Sequence, residues 1–166
     1  MKPTEHRWIH AIWCDDIRHE LGNKPSLMGV YTGDLVMPTL PAMLPRLAVF
    51  VGAWTPKSQP FKQLKIRIEI CEGEHSLAVI EIPPEQLEEM NAQMLSEPMP
   101  PPDVENKELG ALGMNFIVQM GATLITETTQ WFKVWVDTES ETLESFKLRV
   151  STPTTSQQHP TPESLQ

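Results

Sequence analysis

Residues 64–71 read Leu64-Lys-Ile-Arg-Ile-Glu-Ile-Cys71, and their alternation decides the fold class. Side chains of an extended chain point alternately to opposite sides. The leucine and the three isoleucines therefore share one side, and the lysine, arginine and glutamate share the other. This pattern predicts a strand with one face in the core and one face toward solvent.

The same alternation recurs on both sides of this segment. It is clear at 131–137, where Phe132 belongs to the apolar set, and at 146–150, where Phe146 does. Weaker versions predict strands at 8–14, 26–31, 46–54, 76–82 and 115–124. Turn-forming residues lie between strands at 22–24, 72–74 and 137–141, and the last two predict hairpins. Eight short strands with such links predict a mainly all-β fold, an antiparallel sandwich.

One helix is predicted within this β fold, near residues 84–95. Pro84 suits a first helical position because its missing N–H is not needed there. Leu87, Met90 and Met94 follow at spacings of three and four and form one apolar stripe. The proline-rich run after residue 96 ends the helix.

The domain organisation is predicted as one β-sandwich over 1–150 and a disordered tail over 151–166. The tail is rich in Ser, Thr, Pro and Gln and cannot bury enough apolar surface to fold. The longest irregular segment of the domain spans 98–113, and long loops on β frames are often where binding occurs.

Bulk composition limits the partners. The chain has 166 residues, 40% of them hydrophobic, and a net charge of -9. An acidic chain repels phosphate backbones and anionic lipid, so neither a nucleic-acid nor a membrane partner is expected. No signal peptide or long apolar run is visible, and the expected location is cytoplasmic. Cys14 and Cys71 are then expected to be free thiols.

Possible ligands of a metal lie near the N-terminus. The candidates that share a face by strand parity are His6, His10 and Cys14. Imidazole and thiolate beside the carboxylates of Asp15 and Asp16 could hold a transition metal. The two aspartates could also serve acid–base chemistry if one raised the pKa of the other. The alternative is an acidic turn in which one aspartate pairs with Arg18. Because no metal-ligand spacing or phosphate-binding glycine loop supports the chemistry, no metal and no cofactor are predicted.

Trp131 and Trp135 form a second candidate site. They alternate against the apolar set of their strand, so both face outward, with Lys133 between them, if that set faces the core. An outward tryptophan pair can stack sugar rings or a partner's side chains. Cover by the long loop or the helix, and burial in a homodimer, are the alternatives. The expected partner is a protein or a second copy of the chain.

The opening Cys14-Asp-Asp-Ile-Arg18, followed by Gly22-Asn-Lys-Pro-Ser-Leu-Met-Gly-Val-Tyr31, resembles a group of bacterial and phage proteins of unknown function, similar to the family called domain of unknown function 6941. Members open with a Cys-Asp strand, a short turn and a strand that begins Gly-Lys. The matching residues of the second strand are Lys24, Ser26, Leu27, Gly29, Val30 and Tyr31. The resemblance implies an immunoglobulin-like β-sandwich over about residues 7–150 and implies no catalytic residues.

Residues and resemblance together predict a non-enzymatic binding or interaction module, associated with phages or prophages on the resemblance alone. The alternative is a small metal-dependent or acid–base enzyme that uses the Asp15/Asp16 region. The two differ in geometry, since the enzyme requires a concave site in which one of these aspartates meets a histidine from elsewhere in the chain.

Overall fold

Extended segments dominate the computed structural model, which describes residues 6–22, 24–71, 75–96 and 111–153. The strands before the helix are β1 (Trp8–Cys14), β2 (Asp16–Glu20), β3 (Lys24–Met28), β4 (Asp34–Val36), β5 (Ala42–Leu44), β6 (Leu47–Pro56), β7 (Leu64–Ile70) and β8 (His75–Glu81). The helix is α1 (Pro84–Ser96). The strands after it are β9 (Ala111–Met120), β10 (Thr123–Ile125), β11 (Trp131–Thr138), β12 (Thr142–Glu144) and β13 (Leu148–Ser151).

Two sheets form the body of the molecule. A three-stranded sheet has the order β1-β6-β9, and a six-stranded sheet has the order β4-β13-β11-β7-β8, with β12 also paired to β11. Two short ladders, β2–β3 and β10–β5, complete the described pairings, and all are antiparallel except that of β13 with β4. The all-β prediction is confirmed, while the immunoglobulin-like topology stays a prediction.

The core lies between the inner faces of the two sheets. Val49 and Val51 of β6 meet Ile66 and Ile68 of β7, and all four are buried in one apolar cluster. The alternation at 64–70 therefore places its apolar side inward as predicted. The strand ends at Ile70, because Cys71 adopts a left-handed backbone conformation with φ 52°.

The helix is confirmed near its predicted bounds. Leu87 is buried, and Met90 and Met94 pack against the core, so the stripe read from the sequence faces the sandwich. Asn91 donates a hydrogen bond from Nδ2 to the Phe61 carbonyl over 2.8 Å, which ties the helix to the segment before β7. No helix in the described part of the chain is long and apolar enough to cross a membrane.

The hairpin predicted around 72–74 is confirmed by the pairing of β7 with β8, although the turn itself lies outside the described residues. The turn at 137–141 also forms a hairpin, but its second strand is β12 and not the strand predicted at 146–150. The single strand predicted at 115–124 is wrong in its second half. β9 ends at Met120, and after Gly121 and Ala122 the chain enters β10, which pairs with β5 instead of β6. The break falls at Gly121, and a glycine within a strand pattern is a signal for such a bend, which the prediction of a single strand overlooked.

The strand predicted at 146–150 is wrong at its first two residues. Phe146 is 97% exposed and lies in the link between β12 and β13, which begins at Leu148. Ser151, placed in the tail by its composition, pairs with Val36 at the end of β13. Residues 154–166 of the predicted tail and residues 98–110 of the predicted loop lie outside the described residues, and Ala111 already begins β9.

Candidate functional site

The predicted tryptophan site lies on the outer face of β11, where its own neighbours cover it. Trp131 and Lys133 are buried and Trp135 is half-buried. Lys133 Nζ lies 4.1 Å from the centroid of the Trp135 ring, and Lys147 Nζ lies 4.4 Å from that of Trp131. Because cations already occupy these ring faces, a ligand could stack there only by displacing them.

An ionic network holds Lys133 and Arg67, whose guanidinium carbon lies 5.8 Å from the centroid of the Trp135 ring. Arg67 donates from Nε to Asp137 Oδ2 over 2.6 Å and from Nη2 to Asp137 Oδ1 over 3.0 Å, and it also pairs with Glu69. Lys133 pairs with Glu144. The Arg67 guanidinium holds the pKa of Asp137 below its ordinary value, although burial acts in the opposite direction. On this face of the sandwich, Arg67 and Lys133 are therefore both paired with carboxylates.

The lowered pKa of Asp137 predicts a loss of stability in acid. A carboxyl group whose pKa is lower in the folded than in the unfolded state stabilises the fold above its unfolded pKa. That contribution disappears as the pH falls through the folded value. We expect Asp137→Asn to unfold at lower urea concentration than the parent at pH 7, and the difference to narrow by pH 3. Urea titrations across this range test it, and a constant difference would contradict the assignment.

The two aspartates after β1 lie in separate contacts. Tyr31 donates its hydroxyl to Asp15 Oδ1, and burial together with this bond raises the pKa of Tyr31. Asp16 Oδ2 lies 3.6 Å from Arg18 Nε and 3.3 Å from Arg46 Nη1, so the pairing with Arg18 considered from the sequence is present. The enzyme alternative requires a histidine beside one of these aspartates. No histidine is among the described hydrogen-bond or ion-pair partners of either one.

Of the candidate metal ligands, His10 and Cys14 lie on β1, while His6 is exposed and precedes the strand. Cys14 is completely buried, its thiol lies 3.8 Å from the Ala48 carbonyl, and burial raises its pKa. His10 lies four residues earlier on β1, and its ring contacts Trp8 and Phe50. The described residues contain no group of three or more His, Cys, Asp or Glu side chains that could hold a metal ion.

The structure gathers aromatic rings at a different place, the outer face of the three-stranded sheet. We call the set Trp8, His10, Phe50 and Trp54 the aromatic face. On this outer face, residues that pair across β1, β6 and β9 lie side by side, and we call each such set of three a row. The rows, from the start of β1, are Trp8–Trp54–Gly113, His10–Gly52–Asn115, Ile12–Phe50–Ile117 and Cys14–Ala48–Gln119.

The rings of the aromatic face contact one another in sequence. Trp8 and Trp54 are stacked, with centroids 5.2 Å apart and planes 5° from parallel. His10 lies 5.8 Å from Trp8 and 6.0 Å from Phe50, again measured between ring centroids. Trp8 is 40% exposed, whereas the other three rings are half-buried.

Two glycines make room for these rings. A Cβ atom on Gly113 would lie 2.5 Å from Trp54 Cζ3, and a Cβ atom on Gly52 would overlap the His10 ring. Each ring therefore lies over a glycine of the neighbouring strand, as expected where a side chain approaches a sheet backbone closely. The glycines keep the rings close to the sheet.

The β2–β3 hairpin covers one end of this outer face. Ile17 packs with Cys14 and Ala48, with Phe50 and Ile117 at the edge of the same apolar cluster. Gln119 donates from Nε2 to the Ile17 carbonyl over 2.7 Å and fixes the hairpin to β9. In the row farthest from Trp8 the hairpin covers Cys14 and Ala48, while Gln119 stays exposed.

Sequence reasoning missed the aromatic face because β6 is apolar on both sides. A run such as 47–56 has no alternation from which to assign an outer face. The available signal was the spacing of Phe50, Gly52 and Trp54, which places a glycine between two aromatic residues on one side of a strand. The partner ring, His10, comes from another strand and could not be assigned to that glycine without the register.

Comparison of the chain with models of protein families, with curated proteins and with solved structures found no match.

Proposed function

We propose that the chain is a non-enzymatic binding module whose recognition surface is the aromatic face. The observation that carries this proposal is Trp8, which is 40% exposed although a stacked partner, Trp54, lies against one side of its ring. An exposed tryptophan within a cluster of aromatic rings is typical of interaction sites, whereas a single exposed ring such as Phe146 is ordinary on a protein surface.

The fixed positions of the rings beside Trp8 favour binding. Trp54 is positioned over Gly113 and His10 over Gly52, so the rings around Trp8 are held by backbone contacts. A surface whose side chains are already ordered loses little conformational entropy when a ligand binds. No comparable support favours the enzyme alternative, since Asp15 contacts Tyr31 and Asp16 contacts two arginines.

Location and biological context belong to the same proposal. The free thiols of Cys14 and Cys71 support a reducing compartment, and we propose the cytoplasm. The resemblance of the first strands to bacterial and phage proteins supports an association with phages or prophages.

A comparison of three baits tests the proposed function. The parent, Trp8→Ala and the control Phe146→Ala are used to recover bound molecules from cells, and proteins and glycans are both identified by mass spectrometry. We expect at least one species to be recovered with the parent and with Phe146→Ala but to fall at least tenfold with Trp8→Ala. Phe146 is a matched control because it is an exposed aromatic residue in a link of the other sheet. Equal recovery by all three baits would contradict the proposal.

A further inference from the structure

We infer that the aromatic face binds a neutral carbohydrate and that one sugar ring stacks on the exposed side of Trp8, an inference that rests on the proposed function. Trp54 stacks on one side of the Trp8 ring with its plane only 5° from parallel. Trp8 stays 40% exposed although its ring also contacts His10, and we place the sugar on the side of the ring opposite Trp54. An open indole face of this kind suits the apolar C–H face of a pyranose.

Polar groups beside Trp8 fit the hydroxyls of a sugar. The next row of the sheet holds His10 and, across Gly52, the exposed amide of Asn115. The imidazole supplies a donor and an acceptor, and the amide supplies both as well. His10 is adjacent to a pyranose stacked on Trp8, since the two ring centroids lie 5.8 Å apart, whereas Asn115 lies two strands away on β9 and would meet a longer ligand. Stacking gives affinity in such a site, and the polar row gives orientation.

The charge of this face favours a neutral ligand. None of the four rows contains an Asp, Glu, Lys or Arg side chain, although the whole chain carries a net charge of -9. A cationic ligand would find no carboxylate on the face. An anionic ligand, such as a nucleic acid or an acidic polysaccharide, would find no cation there and would be repelled by the chain as a whole.

The exposed area favours a small ligand over a second copy of the chain. With up to about 250 Å² for an aromatic side chain, Trp8 and the three half-buried rings together expose no more than about 370 Å². A stable interface buries about 800 Å² on each partner. One or two sugar rings match the available area, whereas the homo-oligomer expected from the sequence would need much more surface.

Titration of the full chain with neutral oligosaccharides tests the inference. The probes are cellohexaose, xylohexaose, maltoheptaose and chitopentaose, and binding is measured by calorimetry and by the change in tryptophan fluorescence. We expect at least one probe to bind with a dissociation constant of about 0.1–1 mM. Trp8→Ala should weaken this binding at least tenfold, Trp8→Phe should retain part of it, and Phe146→Ala should leave it unchanged.

A second variant keeps the test independent of Trp8. Gly52→Ala forces the His10 ring away from its position over β6 and should weaken binding while Trp8 stays in place. Sedimentation equilibrium of the parent should give a monomer.

Three results would overturn the inference: no probe binds, Trp8→Ala binds as well as the parent, or polygalacturonate oligomers bind more tightly than every neutral probe. A dimer that Trp8→Ala dissociates would also overturn the carbohydrate inference, but it would support binding through the aromatic face. If no sugar binds and the three baits recover the same molecules, the inference and the proposed function both fail.

Discussion

Phe132→Ala is expected to lower the free energy of unfolding by about 3–5 kcal/mol. The Phe132 side chain is completely buried in β11, where its backbone pairs with Ile70 on one side and with Leu148 on the other. Across the core its ring meets Trp13 of the three-stranded sheet, with centroids 5.9 Å apart. Its removal leaves a cavity at the junction of the two sheets, which the strands on both sides hold open.

Urea titration followed by circular dichroism measures this effect. The matched control is Phe146→Ala, which removes the same side chain from a position that is 97% exposed and should change stability by less than about 0.5 kcal/mol. Small domains have a total free energy of unfolding of only about 5–15 kcal/mol, so a second, milder variant covers the case in which Phe132→Ala does not fold. Phe132→Leu, with an expected loss of about 1–2 kcal/mol, then supplies the measurement. Equal stability of the two alanine variants would contradict the packing described for β11.

Arg7→Met is expected to lower the free energy of unfolding by about 2–4 kcal/mol. The Arg7 side chain is only 5% exposed and pairs with Glu139. Its guanidinium also donates to Thr55 Oγ1 of β6 over 3.2 Å and to Ser140 Oγ, in the turn after β11, over 2.9 Å. Removal of one partner from a buried ion pair costs about 3–5 kcal/mol, and the partial exposure of Glu139 reduces this figure. Methionine retains most of the apolar stem, so the loss reports on the charged group.

A double-mutant cycle separates this ion pair from the rest of the Arg7 contacts. Glu139 also accepts backbone hydrogen bonds from Lys62 and Gln63, so Glu139→Gln should be destabilising by itself. If the pair is coupled, the double variant Arg7→Met/Glu139→Gln should lose less stability than the sum of the single variants. Strict additivity would show that Arg7 stabilises the fold through its hydroxyl and carbonyl acceptors and not through Glu139.

Local patterns were sufficient to predict most of the strands. Where one face of a strand is buried, as at 64–70 and 131–137, the alternation of side chains is enforced by the core and can be read directly. The same holds for α1, whose apolar stripe includes Leu87 and faces the sandwich. Short strands such as β4, β5, β10 and β12 were missed, because three residues are too few to show a period.

The tryptophan site was predicted from the alternation of side chains along β11. That alternation gives no information on which side chains of other segments lie beside the rings. Trp131 and Trp135 do lie on the outer side of β11, but Lys133, Arg67 and Lys147 come to cover their rings. Arg67 belongs to another strand and Lys147 to the link before β13. Their approach depends on which strands pair with β11 and in which register, and neither is encoded in the local sequence.

The sequence by itself determined the longer elements with one buried face, because burial of one face imposes a period that such a strand or helix displays. Tertiary structure alone decided which outer face is open. Trp8, His10 and Trp54 meet only when β1 pairs with β6 in one register, and their rings can lie close to the sheet only because that register and the pairing with β9 set Gly52 and Gly113 beside them. A shift of one residue would turn these side chains to the other face of the sheet. Contacts between distant strands fix this register, and the candidate site could therefore be found only in the folded chain.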